Sequence, residues 1–308
     1  MKHTKSFAVI SAAVAAMLAL AGCGAADPFA GSDAKENAAK DADVIVVGSA
    51  NFSESEIIAR IYAEALKDNG IDANVKANIG SREVYLDALE DGSIDMIPEY
   101  TGNLLQFYDE SNAASAAEDV YAGLADALPK DFEVLDMADA QDADAFYIQR
   151  SVADERGIKT IGDLKKLGDD LKVAAPPEFS KRVYGIEGLR SKYGLTVSLV
   201  PVNDGGGQST VQALLDGQVD FARLDSTSPL IAANDLVRLE DDREMILAQN
   251  VVPVARAGRL DDKAKAVIDK VQAKLTTEDL MDMNARSVND KKSAQDVAED
   301  WLDEADLF

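Results

Sequence analysis

The chain has 308 residues, 47% of them hydrophobic, enough for two lobes of ordinary domain size or for one large domain. Its formal net charge of −25 argues against nucleic acid, whose phosphates need a basic face, and the acidity reads as a solvated, self-repelling surface. One cysteine, Cys23, and one histidine, His3, leave little for zinc ligation or for Ser–His and Cys–His catalysis, so neither a metal nor a cofactor is expected.

At the start, Lys2 and Lys5 precede an almost wholly apolar run over residues 7–20, the order of regions in a secretory signal. The run is too short to cross a bilayer, which needs about 20 residues. It ends in Leu20-Ala21-Gly22-Cys23, which resembles a bacterial lipobox, where the cysteine is acylated and becomes the new N-terminus. Residues 1–22 are therefore expected to be a signal peptide that carries His3 away. Cys23 is expected to hold the exported protein by lipid on the outer face of the cell membrane. Residues 23–43, polar and small with no apolar period, read as a lipidated flexible tether.

The folded part opens with a buried strand over residues 44–47, broken by Gly48 and Ser49. Ser53-Glu54-Ser55-Glu56 resembles a capping box, which starts a helix running to Lys67 and stopped by Asn69-Gly70. Strand, helix and strand follow over residues 73–78, 83–89 and 94–97. After Arg150 a second series places strands at 171–174, 196–202 and 219–224. Its helices fall at 179–193, interrupted by Gly185 and Gly188, and at 208–215. From Asp261 onward the pattern is helical, over 263–275, 277–284 and 294–302, with Thr276 or Thr277, Glu278 and Asp279 giving the middle helix an acidic start. Short strands alternating with helices indicate an α/β fold with largely parallel sheets.

One octet occurs in each half. Ala88-Leu89-Glu90-Asp91-Gly92-Ser93-Ile94-Asp95 is echoed by Ala213-Leu214-Leu215-Asp216-Gly217-Gln218-Val219-Asp220, a helix ending on a glycine cap and followed by a strand. Alone, such an octet is also what a generic helix-to-strand turn looks like; placed once per half, it suggests two similar lobes. In open α/β sheets ligands bind beyond the carboxyl ends of strands, so the segments after residues 97 and 224 point to a cleft between lobes.

Several segments together resemble one family. Val47-Gly48-Ser49 with Phe52-x-Glu54, Ile79-Gly80-Ser81, Ile94-Asp95 with Pro98-Glu99-Tyr100-Thr101-Gly102, Pro177-Glu178-Phe179, Leu239-Glu240-Asp241-Asp242 and Val252-Pro253-Val254 match in order. They resemble the substrate-binding lipoproteins of osmoprotectant ABC importers, which take up glycine betaine, choline or carnitine. The resemblance spans about residues 44–302 and is most specific at Pro98-Glu99-Tyr100-Thr101-Gly102. It implies a two-lobed type II periplasmic-binding-protein fold in which the chain crosses between lobes near Arg150 and near residues 251–254. Lobe one then comprises residues 44–150 and 254–308, and lobe two residues 151–253. The implied partners are a small zwitterion or cation, an ABC permease with its ATPase, and the membrane through the lipid anchor.

A quaternary ammonium group cannot donate hydrogen bonds, so aromatic faces are its natural partners, while a ligand carboxylate needs Arg, hydroxyl or amide donors. Position by position, the resemblance puts Tyr100 on a cage tyrosine, Arg182 on an arginine that grips the carboxylate, and Asn103 on another carboxylate donor. It puts Ala145, Val211 and Asp225 where some members carry further cage tyrosines, and Ala50 where some carry a lysine. Phe146 and Tyr147 adjoin one of these positions and could restore a ring after a one-residue shift; Asp225 could instead attract the cation by charge. From the residues alone, Arg82 at a helix start is either an anion holder or an exposed helix arginine. Arg182 either pairs with Glu178 one turn away or meets the ligand. Tyr184 and Tyr193 read as packing residues, and Trp301 as packing the last helix onto lobe one. The expected function is solute capture and delivery, not catalysis, with an osmoprotectant as cargo. Another polar solute such as an amino acid or amine is the alternative, and a lipid-anchored hydrolase using a carboxylate pair is a more distant one.

Overall fold

The computed structural model describes residues 43–112 and 114–308; the signal sequence, Cys23 and the tether through residue 42 lie outside the described residues. The first lobe opens with β1 (Ile45–Gly48), α1 (Ser53–Asp68), β2 (Ala73–Lys76), α2 (Arg82–Glu90), β3 (Met96–Tyr100), α3 (Thr101–Tyr108), α4 (Ala117–Ala127) and β4 (Phe132–Val134). The second lobe contains β5 (Asp144–Gln149), α5 (Arg150–Arg156), β6 (Leu171–Ala175), α6 (Ile186–Tyr193), β7 (Val197–Pro201), α7 (Gln208–Leu215), β8 (Phe221–Asp225), α8 (Leu230–Ala233) and β9 (Leu236–Arg238). The chain then returns to the first lobe with β10 (Val251–Arg256), α9 (Asp262–Lys274), α10 (Thr277–Val288) and α11 (Ala294–Ala305). No helix among the described residues is long and apolar enough to cross a membrane.

Two five-stranded sheets result, ordered β2-β1-β3-β10-β4 and β7-β6-β8-β5-β9. Each has a parallel trio, followed by an antiparallel strand brought in across the lobe boundary. Both faces of each sheet are covered. In the first, Ile45, Val47 and Met96 join one core with Ile57, Ile61, Leu280 and Trp301, while Ile97, Val252 and Val254 join another with Leu89, Leu104 and Leu124. This alternation along single strands is the period-2 pattern of a sheet buried on both sides. Trp301 packs against lobe one as expected.

The echoed octet is a matched structural device. In both copies the helix ends beside a glycine with positive φ, +80° at Gly92 and +67° at Gly217, the left-handed geometry that glycine adopts without steric cost. The closing aspartate then clips the first strand of its own parallel trio, β1 in one lobe and β6 in the other. Asp95 N–H donates to Val46 O at 2.7 Å while Val46 N–H donates to Asp95 Oδ2 at 2.8 Å. Asp220 N–H donates to Lys172 O at 2.9 Å while Lys172 N–H donates to Asp220 Oδ2 at 2.7 Å.

Three expectations change. Ser53 is the first residue of α1 and Phe52 its cap position, with no side-chain hydrogen bond there; Ser55 Oγ instead accepts from the Ala50 N–H at 2.9 Å, so no capping box forms. The helix expected over 179–193 is a 3₁₀ turn, Pro177–Lys181, followed by α6, because a Cβ on Gly185 would lie 1.9 Å from Phe179 O and the backbone folds tightly there. The lobe boundaries also move. Strand β5 pairs antiparallel with β8 and β9 inside the second sheet, so the first crossing precedes Asp144 instead of falling at Arg150. Strand β10 is already paired with β3 at Val251, so the second crossing is complete there.

The two crossing segments run side by side. Ala138 N–H donates to Val251 O at 2.9 Å, Val251 N–H to Ala140 O at 2.9 Å, and Asp142 N–H to Gln249 O at 3.1 Å. Gly102 in α3 sits directly against this hinge, where an added Cβ would lie 2.5 Å from Ala248 O and 2.7 Å from Leu247 Cβ. Gly102→Ala must push the hinge aside, and overpacking of this kind costs about 1–3 kcal/mol. Its thermal midpoint should fall by about 2–4 °C for each kcal/mol. Gly162→Ala, whose Cβ would meet nothing nearer than 3.6 Å, serves as the control. Equal midpoints for the two variants in a calorimetric scan would contradict the tight approach.

Candidate functional site

The carboxyl ends of the parallel strands of both sheets face one cavity of about 100 Å³, the position at which open α/β sheets bind ligands. From the first lobe come Phe52 after β1, Arg82 and Tyr85 on α2, Tyr100 ending β3 and Asn103 on α3. From the second come Asp142 and Asp144 at the crossing, Phe179, Arg182 and Tyr184 after β6, and Arg223 and Asp225 on β8. The lobes are drawn together around it. Asn103 Nδ2 donates to Asp144 Oδ2 at 2.5 Å, Thr227 Oγ1 to Glu54 Oε2 at 2.7 Å, and Arg182 Nη1 to Glu83 Oε1 at 2.8 Å.

Strand alternation explains how β3 serves the site twice. Glu99 and Tyr100, neighbours in sequence, point to opposite faces of the sheet. Glu99 is fully buried and receives a fork from Arg82, with Nε at 2.6 Å and Nη2 at 2.8 Å, and the Tyr85 hydroxyl at 2.5 Å. Tyr100, on the other face, donates its hydroxyl to Glu54 Oε1 at 2.5 Å, and its ring tilts against Phe52 with centroids 6.2 Å apart. Asn284 Nδ2 also donates to Glu54, at 2.5 Å. Burial raises the Glu54 carboxyl against these donors, and burial with the adjacent Glu54 raises the Tyr100 phenol well above its ordinary range.

The second lobe contributes a carboxylate cluster. Arg223 Nε donates to Asp144 Oδ1, and its Nη2 lies 2.6 Å from Asp225 Oδ1. Burial works against the charge on Asp144, but Arg223 together with the Asn103 and Tyr184 donors outweighs it and holds that carboxylate below its ordinary range. Asp225 is different: burial, with the charges of Asp142 and Asp144, pushes it up to about 8 despite Arg223. Asp142 is also pushed well up, by burial and by Glu54. Among the described residues no group of His, Cys, Asp and Glu is arranged to hold a metal ion. The arrangement fits an organic cation, which aromatic faces and diffuse negative charge attract.

Of the residues singled out from the sequence, Tyr100, Asn103, Arg82, Arg182 and Asp225 all line the cavity. Arg82 is neither an exposed helix arginine nor free for an anion, being 8% exposed and forked onto Glu99. Arg182 pairs with Glu83 across the cleft and not with Glu178. Phe146 and Tyr147 do not reach the cavity, because β5 is buried on both faces. Phe146 packs edge-on against Phe179 and Phe221 in one core, and Tyr147 joins Ala145 and Val211 in the other. Ala145 and Val211 are thus core residues too.

Sequence reasoning missed most of the aromatic wall. Phe52, Tyr85, Phe179 and Tyr184 join Tyr100, so five aromatic residues line one cavity. Phe52 and Phe179 each follow a parallel strand by a few residues, a signal that the strand-end rule carries. Tyr85 and Tyr184 gave none, since a tyrosine on or near a helix packs more often than it binds. Asp142 and Asp144 were missed because the first crossing was placed too late, and Arg223 because it sits inside strand β8, where only the pairing with β5 brings it to Asp144.

The profile described as substrate binding domain of ABC-type glycine betaine transport system matches residues 43–304. The glycine betaine-binding protein YehZ of Escherichia coli (strain K12) is 25% identical over 228 residues, covering 70% of this chain and 74% of that protein. A glycine-betaine-binding protein of Pseudomonas aeruginosa is 26% identical over 233 residues, covering 70% of this chain and 72% of its own. The solved structure of a glycine betaine/carnitine/choline ABC transporter protein superposes with a TM-score of 0.67 at 23% identity, over 85% of this chain and 99% of that one. An ABC-transporter choline-binding protein in complex with choline superposes at 0.61 with 15% identity, over 86% and 89%. The two superpositions show a shared fold. Matched from residue 43 to residue 304, the chain belongs to the family of substrate-binding domains of ABC-type glycine betaine transport systems.

Proposed function

We propose that this chain captures a small quaternary ammonium solute in its interlobe cavity and delivers it to an ABC permease driven by its ATPase, acting by binding and release with no covalent chemistry. The observation that carries this reading is the convergence of five rings, Phe52, Tyr85, Tyr100, Phe179 and Tyr184, with three carboxylates, Asp142, Asp144 and Asp225, on one cavity. A methylated ammonium head has no N–H to donate; it is held by ring faces and by negative charge at its methyl surface. The curated relatives named for glycine betaine support the ligand class. Closure sets Asn103–Asp144, Thr227–Glu54 and Arg182–Glu83 across the cleft, so both lobes report on one bound solute.

The sequence adds where this takes place. Residues 1–22 act as an export signal, Cys23 carries the lipid, and residues 23–43 tether the domain to the outer face of the membrane, which keeps it concentrated beside its permease. Radiolabelled palmitate should enter the protein in growing cells and be lost in Cys23→Ser; label retained by that variant would refute the anchor.

Isothermal titration of the purified protein with choline, glycine betaine and carnitine tests the capture reading. Binding of at least one is expected, and Phe52→Leu, which keeps volume but removes the ring, should weaken it about five-fold, the scale of a cation–π contact. No heat and no thermal stabilisation with any of the three would reject the reading; an unchanged affinity would take Phe52 out of the site.

Asp225 makes the binding pH-dependent. With its carboxyl raised to about 8, it still holds a proton at pH 7, and a cation beside it must expel that proton. Affinity for a cation therefore rises with pH up to about 8 and levels off above it. The slope below that point approaches about tenfold per pH unit if Asp225 alone responds. Asp225→Asn should flatten the profile between pH 6 and 8.5. A wild-type affinity that is constant or falls over that range would contradict the coupling.

A further inference from the structure

Three arginines line the cavity, and each already has its charge matched inside the protein. Arg82 is forked onto Glu99. Arg223 is shared between Asp144 and Asp225. Arg182, the one whose resemblance points to a ligand carboxylate, reaches from the second lobe to α2 of the first. There its Nη1 lies 2.8 Å from Glu83 Oε1 and its Nη2 3.3 Å from Oε2. Ser81 Oγ supports the acceptor with a 2.8 Å bond to Glu83 Oε2. Against the effect of burial, these donors pull the Glu83 carboxyl down to about 2, so the pair stays ionised at any physiological pH.

Negative charge, by contrast, has capacity to spare. Asp142 is 5% exposed and lines the cavity. Its Oδ1 accepts from Ser226 Oγ and from the Thr227 N–H, both at 3.1 Å, while Oδ2 accepts no hydrogen bond among the described residues. Asp225 has one half-used partner in Arg223, and Glu178 stands on the same wall without a basic partner among the described residues. An incoming carboxylate would have to displace Glu83 from Arg182, or Asp144 and Asp225 from Arg223, in a cavity already bordered by acids. An incoming cation breaks no ion pair and displaces only the proton that Asp225 holds below about pH 8.

We infer that this cleft selects net cations over zwitterions that share the same quaternary ammonium head, and that Glu83 sets the preference by occupying Arg182. The inference rests on the quaternary ammonium reading above and narrows it. Glu83 is a specificity residue that acts through Arg182: it does the work of a ligand carboxylate from within the protein. With Glu83 present, the ligand end opposite the ammonium group is best uncharged, as in an alcohol.

Choline and glycine betaine make the comparison, because they share a trimethylammonium group and differ in hydroxyl against carboxylate. Titration of the intact wild-type protein should give choline at least about tenfold tighter than glycine betaine, the size of one well-matched charge contact. Glu83→Gln frees Arg182 and should shrink the ratio by about threefold or more, chiefly by tightening glycine betaine. Glu83→Gln/Arg182→Gln should return glycine betaine to the wild-type value or weaker. Reading the ratio of the two ligands removes any general effect of the lost interlobe pair on closure, and a thermal scan of each variant checks the fold. Wild-type affinity for glycine betaine equal to or tighter than for choline overturns the inference while leaving the quaternary ammonium site intact. A parallel loss of both ligands in Glu83→Gln overturns the role of Glu83. Failure of both ligands to bind the wild type rejects the site itself, and this inference with it.

Discussion

Closing two lobes over a cavity strips water from the carboxylates along it, and a carboxylate without water needs a donor, a cation or a proton. Glu54, Glu99, Asp142, Asp144 and Asp225 all meet that demand, by different routes. Glu99 takes a guanidinium and a phenol from its own lobe. Glu54 takes donors from Tyr100 and Asn284 in its own lobe and from Thr227 in the other, so its pairing is complete only when the lobes meet. Asp144 likewise needs Arg223 beside it and Asn103 across the cleft. Asp142 and Asp225 are left under-matched, and it is these two that burial drives toward holding a proton. The cavity is therefore organised by a deficit of positive charge, and a bound cation would supply it.

The same constraint links fold to ligand. Strand β3 carries Glu99 toward α2 and Tyr100 toward α1, so one extended segment anchors the two helices that bring Tyr85 and Phe52 to the cleft. In the second lobe Phe146, itself buried, holds Phe179 edge-on from behind, and Phe179 in turn meets Tyr184 at 6.2 Å. The rings that line the cavity are thus held from behind by Glu54, Glu99 and Phe146, none of which lines it.

Much of this was legible in order along the chain. Alternating strand and helix signals showed the α/β class, and the echoed octet, with its glycine turn and closing aspartate, showed the duplication that Asp95 and Asp220 make concrete. Tyr100, Asn103 and Asp225 were visible because they end strands or follow them closely. What stayed hidden depends on pairing across the fold. The strand over residues 144–149 was not read at all, and nothing local says which sheet such a segment joins, so the first crossing was placed at Arg150; Phe146 and Tyr147 were assigned to the cleft only because they adjoin a cage position in the resemblance. The partners of Arg82 and Arg182 lie 17 and 99 residues away, and no periodicity carries that information. The aromatic wall, likewise, is drawn from four separate segments and is complete only once the lobes meet.

The match over residues 43–304 carries the family, while the sign and availability of charge in the cavity are decided by a few side chains. The most direct measurement is therefore a crystal structure of the protein with choline bound. The account predicts the trimethylammonium group within about 6 Å of at least two of the five ring centroids. It should lie on the side of Asp142 and Asp225, with Arg182 still held by Glu83. A head group lodged away from those rings and carboxylates would contradict it.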